Sequence, residues 1–389
     1  MKNLKIIPGI IILMFITIIQ SYGAETDKVV TLNDLANVQK YFRAIHIMAM
    51  LLMGFGFLMV FIKKYGRTAI TATYLLVAVA IPLYFFKDYL GILGHAASDI
   101  DRIILAEFAA AGLLIATGAV LGRLKLSQYI LLGLLFIPAY AFNEWLLLDG
   151  GFNIIAKGSF LDTGGSIVIH AFSAIFGFGT IFSLTTDKEF KTSIETDSTS
   201  DRFSLLGSMM LWVFWPSFCA ALVPTELIPQ TVVNVFIALS GSTLATYFAS
   251  MAFRKKVSVT DIANATLAGG VAIGSASAFA SPLSSFIIGV LAGILSTYGF
   301  AVLQEKVQSK INKTDSCGVM YLHGLPGLLG GFSVFFAITG VNVRSQLLGI
   351  GITIIIALLS GLLVGKMITL AGRVSIPYDD FENIEVEDI

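Results

Sequence analysis

Apolar residues in this chain come in long runs, broken by short polar or charged stretches. After an apolar N-terminal stretch, eleven further runs fall near 37–62, 68–86, 100–121, 127–148, 163–185, 204–224, 230–252, 262–280, 283–304, 319–339 and 345–371. Most reach the ~20 residues that carry a helix across the hydrocarbon core of a bilayer. There every backbone N–H and C=O needs a partner within the protein, so each run is predicted to be a helix. The expected fold class is all-α integral membrane, with eleven transmembrane helices. The eighth run is rich in Gly, Ala and Ser, which suits close helix packing. The opening stretch, "MKNLKIIPGIIILMFITIIQSYGAETD", sets Lys2 and Lys5 before an apolar core and then Ser21-Tyr22-Gly23, small-x-small. That is the shape of a signal peptide over residues 1–23.

Charge sets the orientation. A signal peptide places the mature N-terminus outside. On that topology the inside loops carry fifteen Lys and Arg residues and the outside seven, as the positive-inside rule requires. The transmembrane region then covers 24–372. Residues 373–389, including the acidic "PYDDFENIEVEDI", form a cytosolic tail expected to be loosely ordered. The location implied is the cell (inner) membrane, multi-pass. Eleven spans allow a five-plus-five inverted repeat plus one helix, joined by the polar loop 186–203, an arrangement that builds sites near the midplane of many transporters.

Composition agrees: 56% of residues are hydrophobic and 13% charged, against ~25% charged in soluble domains. The formal net charge is zero, so nothing points to nucleic acid. Cys219 and Cys317 show no metal spacing and suit reduced packing residues. No nucleophile motif or phosphate-cradling loop appears, so neither an enzyme nor a cofactor is expected.

Two histidines stand out. His170 lies in "SIVIHAFSAIFGFGT" and His323 in "YLHGLPGLLGG", each on the fifth helix of its half. An ionisable group in a span usually faces the bundle interior or a water path. Two neutral imidazoles offer a donor and an acceptor to a small polar solute. A core histidine bonded to a carbonyl is the plainer alternative, and metal ligation lacks further ligands. Depth does not bring the pair together: His170 lies ~10 Å from the outer side and His323 ~6 Å from the inner side. Phe108 and Phe218 fall at ~12 Å and ~9 Å from the outer side, so their rings can share one level. Asp162 and Asp261 each precede a helical run and suit N-caps.

At these motifs the sequence resembles the ammonium transporter/Rhesus glycoprotein superfamily, specifically its Rhesus branch. The stretches that carry the resemblance are "GFGFLMVFIKKYG", "AEFAAAGLLIATGAVLG", "FNEWLLL", "DTGGSIVIHAF", "LWVFWPSF", "DIANATLAGGVAIG" and "LHGLPGLLGG", in family order between residues 54 and 331. The resemblance implies a homotrimer in membrane lipid, with one narrow pore in each subunit. It implies that His170 and His323 are twin pore histidines, and that Phe108 and Phe218 form a stacked gate. Asp162 would shape the outer vestibule, and Glu144 matches an acidic residue there. The substrate implied is ammonia or ammonium, with methylamine and carbon dioxide as further solutes to test. Leu222 stands where the ammonium-transporter branch has a recruiting serine, and "LLDGGFNIIAKGSFL" holds no tryptophan. That favours passage of neutral ammonia over high-affinity cation uptake. Cys219 and Tyr321 depart from the family pattern, both replacing an expected Asn, and Leu222 and Tyr321 are candidate pore-lining positions. The rival functions are an electrogenic ammonium transporter and an ammonium sensor that signals through the tail.

Overall fold

The computed structural model describes residues 31–94, 96 and 98–385. The expected signal peptide and the last four residues of the expected tail lie outside the described residues. A short N-terminal unit extends through Val38, and a second unit runs from Gln39 to the C-terminus. In the first, the Thr31 backbone N–H and hydroxyl both donate to the Asp34 carboxylate, at 2.8 and 2.7 Å.

The described residues are helical and contain no strand. Nine helices among them are long and apolar enough to cross a membrane. These are α1 (Asp34–Phe61), α2 (Gly66–Tyr89), α3 (Asp99–Val120), α4 (Leu126–Leu148), α5 (Ser166–Leu184), α7 (Thr225–Arg254), α9 (Pro282–Ile311), α10 (Met320–Ala337) and α11 (Val343–Leu370). The sixth and eighth expected runs are different. Helix α6 (Ser198–Cys219) is continuous but carries Ser200, Asp201, Arg202, Ser204 and Ser208 in its first half. The eighth, α8, is a chain of four short pieces: Val259–Asn264, Ala265–Leu267, Ala268–Ile273 and Gly274–Ala276. Its glycines weaken the helical ladder while allowing close contact.

Helix starts follow capping chemistry. Asp197 accepts from the Thr199 and Ser200 N–H groups at 2.9 Å. Ser281 accepts from Ser284 at 3.1 Å, with Pro282 in the first turn. Asn342 accepts from Ser345 at 3.0 Å. Each cap satisfies a backbone donor that the helix leaves open. Between α7 and α9 the backbones nearly touch: a Cβ on Gly289 would stand 2.1 Å from the Ala238 carbonyl oxygen. In lipid, where apolar burial between helices gains little, such small-residue contacts carry the packing.

The C-terminal segment is not loose through residue 385. The Tyr378 N–H donates to the Gly122 carbonyl at 2.7 Å, and the Asp380 N–H to Lys64 at 2.9 Å. The Asp380 carboxylate accepts from the Thr68 and Arg67 N–H groups at 2.8 and 3.3 Å, capping the start of α2. Asn383 accepts from Leu126 at the start of α4, at 3.1 Å. Acidic composition suggested a solvated tail. What overrides it is the set of open donors at two helix N-termini, which attract carboxylate and amide oxygens.

Tyr378 lies over Gly122, whose φ is +83° and whose added Cβ would fall 2.3 Å from the tyrosine ring. Gly122→Ala should therefore displace the tail, with a left-handed backbone cost of about 1–2 kcal/mol besides. Limited proteolysis should cut near Tyr378 and Phe381 faster than in the wild type. Equal cutting rates would show that the segment is not held here.

Candidate functional site

The site is built by two helices that begin inside the bundle. Before α5, Asp162 accepts from the Ile167 N–H at 3.1 Å and the Val168 N–H at 2.7 Å. The Ser275 hydroxyl of α8 donates to the same carboxylate at 2.5 Å. Before α10, Asp315 accepts from the Val319 and Met320 N–H groups, both at 3.0 Å. In both places a glycine with positive φ precedes the helix, Gly165 at 76° and Gly318 at 67°. Both sequences read Asp-x-x-Gly-x-x-x-x-His, as "DTGGSIVIH" and "DSCGVMYLH". The repeated spacing places a histidine eight residues beyond each aspartate, a signal that apolar-run counting missed.

It also explains the misjudged depth of His323. The polar residues before α10 sit inside the bundle: the Ser316 N–H donates to Ala119 at 3.2 Å and that of Cys317 to Gly118 at 3.1 Å. Asp315 is buried. His170 and His323 then meet, Nδ1 to Nδ1, at 3.2 Å. Their planes lie within 11° of parallel, and both rings are buried. A bond between two Nδ1 atoms needs the proton on one of them, so one ring donates and the other accepts. Both histidines sit on π-helical stretches, Ser166–Ala171 and Met320–Gly324. Such wide turns break the ordinary helical register and recur at functional sites.

On one side of the pair, Phe108 of α3 and Phe218 of α6 meet with ring centroids 4.6 Å apart, tilted by 51°. Phe218 lies 6.3 Å from His170. Beyond them is a cavity of about 330 Å³ whose wall includes Phe108, Glu144, Asp162 and Leu222. Glu144 is buried and accepts from the Tyr84 and Tyr140 hydroxyls, the latter at 3.1 Å. On the other side, His323 opens on a cavity of about 260 Å³, with Phe55, Val319 and Leu322 in its wall. The order is the cavity walled by Glu144, the phenylalanine pair, the imidazole pair, and the cavity walled by Phe55.

Two expected positions lie elsewhere. Asp261 is no N-cap. It is the third residue of its helix, wholly buried, and its carboxylate takes two bonds from Arg254 at 2.9 and 3.1 Å and one from Ser250 at 2.7 Å. A buried carboxylate needs such a partner, and the helix starts at Ser258 instead. Tyr321 packs against α9, 5.9 Å from Phe300, while Val319 just before α10 and Leu322 and His323 within it supply the cavity wall. Sequence reading passed over Trp215 and Phe55, whose rings adjoin His170 and His323. Trp215 stands within the quoted "LWVFWPSF" and Phe55 within "GFGFLMVFIKKYG", but neither was singled out. Among the described residues no group of three or more His, Cys, Asp or Glu side chains is placed to hold a metal.

Fold and site define a helical membrane protein with two cavities facing each other across a pair of imidazoles. The family model described as the ammonium transporter family matches residues 6–382, and the chain belongs to that family. Among curated relatives, ammonium transporter Rh type C of Rattus norvegicus is 32% identical over 364 residues, covering 83% of this chain and 71% of that one. Ammonium transporter Rh type A of Canis lupus familiaris is 36% identical over 317 residues, covering 79% and 74%. A solved structure of Nitrosomonas europaea Rh50, described with the Rhesus protein family of channels, is 51% identical. It has a TM-score of 0.89 and covers 92% of this chain and 94% of its own. A sensor Amt protein shares the fold, with a TM-score of 0.76 at 17% identity.

If the two aspartates set where α5 and α10 begin, Asp162→Ala and Asp315→Ala should both lower thermal stability. Asp315→Ala strands two N–H donors inside the bundle, at about 1–3 kcal/mol for each buried donor left unpaired. Unfolding temperatures of the purified protein check this; wild-type values would contradict the capping role.

Proposed function

We propose that the protein is a Rhesus-type ammonia channel that passes neutral NH₃ through each subunit. The observation that carries this reading is the buried imidazole pair between two cavities. Its single shared proton leaves one donor and one acceptor face, a match for a small neutral solute with a lone pair and N–H groups. A bare cation at that depth meets a desolvation penalty of tens of kcal/mol in the idealised limit, whereas ammonia meets only that of a neutral polar molecule. NH₄⁺ gives its proton to water in the cavity walled by Glu144 and Asp162, which this reading takes as the outer one; their carboxylates supply a favourable potential for the arriving cation. The Phe108–Phe218 pair acts as the gate that dehydrates the solute.

Leu222 in the outer wall offers no hydroxyl, and the reading therefore includes weak recruitment of the cation. Recruitment by an aromatic face would need a tryptophan or comparable ring at the mouth. The proposal also takes the assembly to be a homotrimer of eleven-span subunits, N-terminus outside and C-terminus cytosolic, in the cell membrane.

In proteoliposomes at fixed total ammonium, raising external pH should increase flux in proportion to the NH₃ fraction. His170→Ala and His323→Ala should change that flux at equal protein level. Flux that follows NH₄⁺ instead of NH₃, or that both variants leave untouched, would overturn the reading.

A further inference from the structure

Neither imidazole is held by a backbone carbonyl or a carboxylate among the described residues. The hydrogen bond recorded for each is the one to the other, and His170 Nε2 is buried without a partner. Histidine rings are commonly fixed by a bond from the second ring nitrogen. The torsion that turns an imidazole plane is broad and shallow, and a hydrogen bond weakens steeply with misalignment. Something else has to hold these two planes within 11° of each other.

The structure offers a row of four rings. Trp215 lies 5.5 Å from His170, their planes 23° apart. Phe55 lies 6.4 Å from His323, their planes 28° apart. Each imidazole thus has one aromatic ring nearly parallel to it. Trp215 is tightly packed: a Cβ on Gly270 would stand 2.6 Å from its indole. Its buried indole N–H has only the weak Cys219 thiol as a neighbouring acceptor, so packing does more than hydrogen bonding to set its place. Three of the four rings ride on π-helical stretches, Phe55 on Met50–Phe55 and the histidines on theirs. The fourth directly precedes Pro216 within α6. Every member of the row stands where the helical ladder is irregular, and each irregularity turns a side chain away from the direction regular pitch would give it.

We propose that Trp215 and Phe55 are positioning residues: each sets a nearly parallel ring beside one imidazole, and together they hold the pair in the geometry its shared hydrogen bond needs. The proposal rests on the reading of His170 and His323 as the conducting pair only for its effect on flux. The positioning itself can be read spectroscopically.

The test uses the full chain with ¹⁵N-labelled histidine in lipid, signals being assigned with His170→Ala and His323→Ala. Three further variants are compared: Trp215→Leu, Trp215→Phe and Phe55→Leu. In the wild type the pair should give separate resonances for protonated and bare ring nitrogens. In Trp215→Leu and Phe55→Leu these should move toward averaged positions as the rings gain freedom. Ammonia flux should fall on the order of tenfold, within the ~10²-fold that a misplacement of about 1 Å costs in enzymes. Trp215→Phe keeps an aromatic face without the N–H and should retain both spectrum and flux.

Unchanged resonances in both leucine variants would overturn the proposal, as would Trp215→Phe behaving like Trp215→Leu, which would make the indole N–H the working group. Where Trp215→Leu fails to fold, Phe55→Leu at the cavity wall decides alone. A wild type that passes no ammonia would sink the functional reading, while the resonances would still decide the positioning role.

Discussion

The hydrogen bond between His170 and His323 constrains more of this structure than any other contact. Bringing two Nδ1 atoms to 3.2 Å from helices in opposite halves of the chain requires both helices to start inside the bundle. Their first turns then expose backbone donors where water is scarce, which is costly unless a protein oxygen accepts. Asp162 and Asp315 supply those oxygens, and Gly165 and Gly318 supply the left-handed turn that lets each carboxylate reach forward. The aspartates thus act on the pair without touching it.

The local departures from regular helix follow from the same constraint. A regular ladder would satisfy every backbone group but would fix each side chain by its 3.6-residue pitch. The π-helical stretches around Phe55, His170 and His323 give up that regularity. In exchange the rings converge between two cavities. The close approach of α7 and α9 through Gly289, and the tail that caps α2 and α4, hold the frame in which this convergence persists.

Much of the frame was legible from apolar runs, because the bilayer imposes a length and a helical backbone on whatever crosses it. Nine of the expected helices meet that standard among the described residues. Where α6 and α8 do not, the cause is visible in their serines, charges and glycines. The histidines were found as anomalies in apolar sequence, yet run counting placed His323 too shallow, since it treats polar residues such as Asp315 and Ser316 as outside. Asp261 was misread because a carboxylate before an apolar run looks the same whether it caps a helix or pairs with Arg254. The docked tail and the ring row escaped for a shared reason: both depend on contacts between residues far apart in sequence, with no local period to betray them.

The central claim is that the solute crosses the imidazole pair without charge. Current and ammonia uptake recorded together on the same proteoliposomes, by solid-supported membrane electrophysiology and an internal pH dye, test it directly. The account predicts ammonia uptake with current at background. A sustained current that saturates with NH₄⁺ and vanishes in His170→Ala would contradict it.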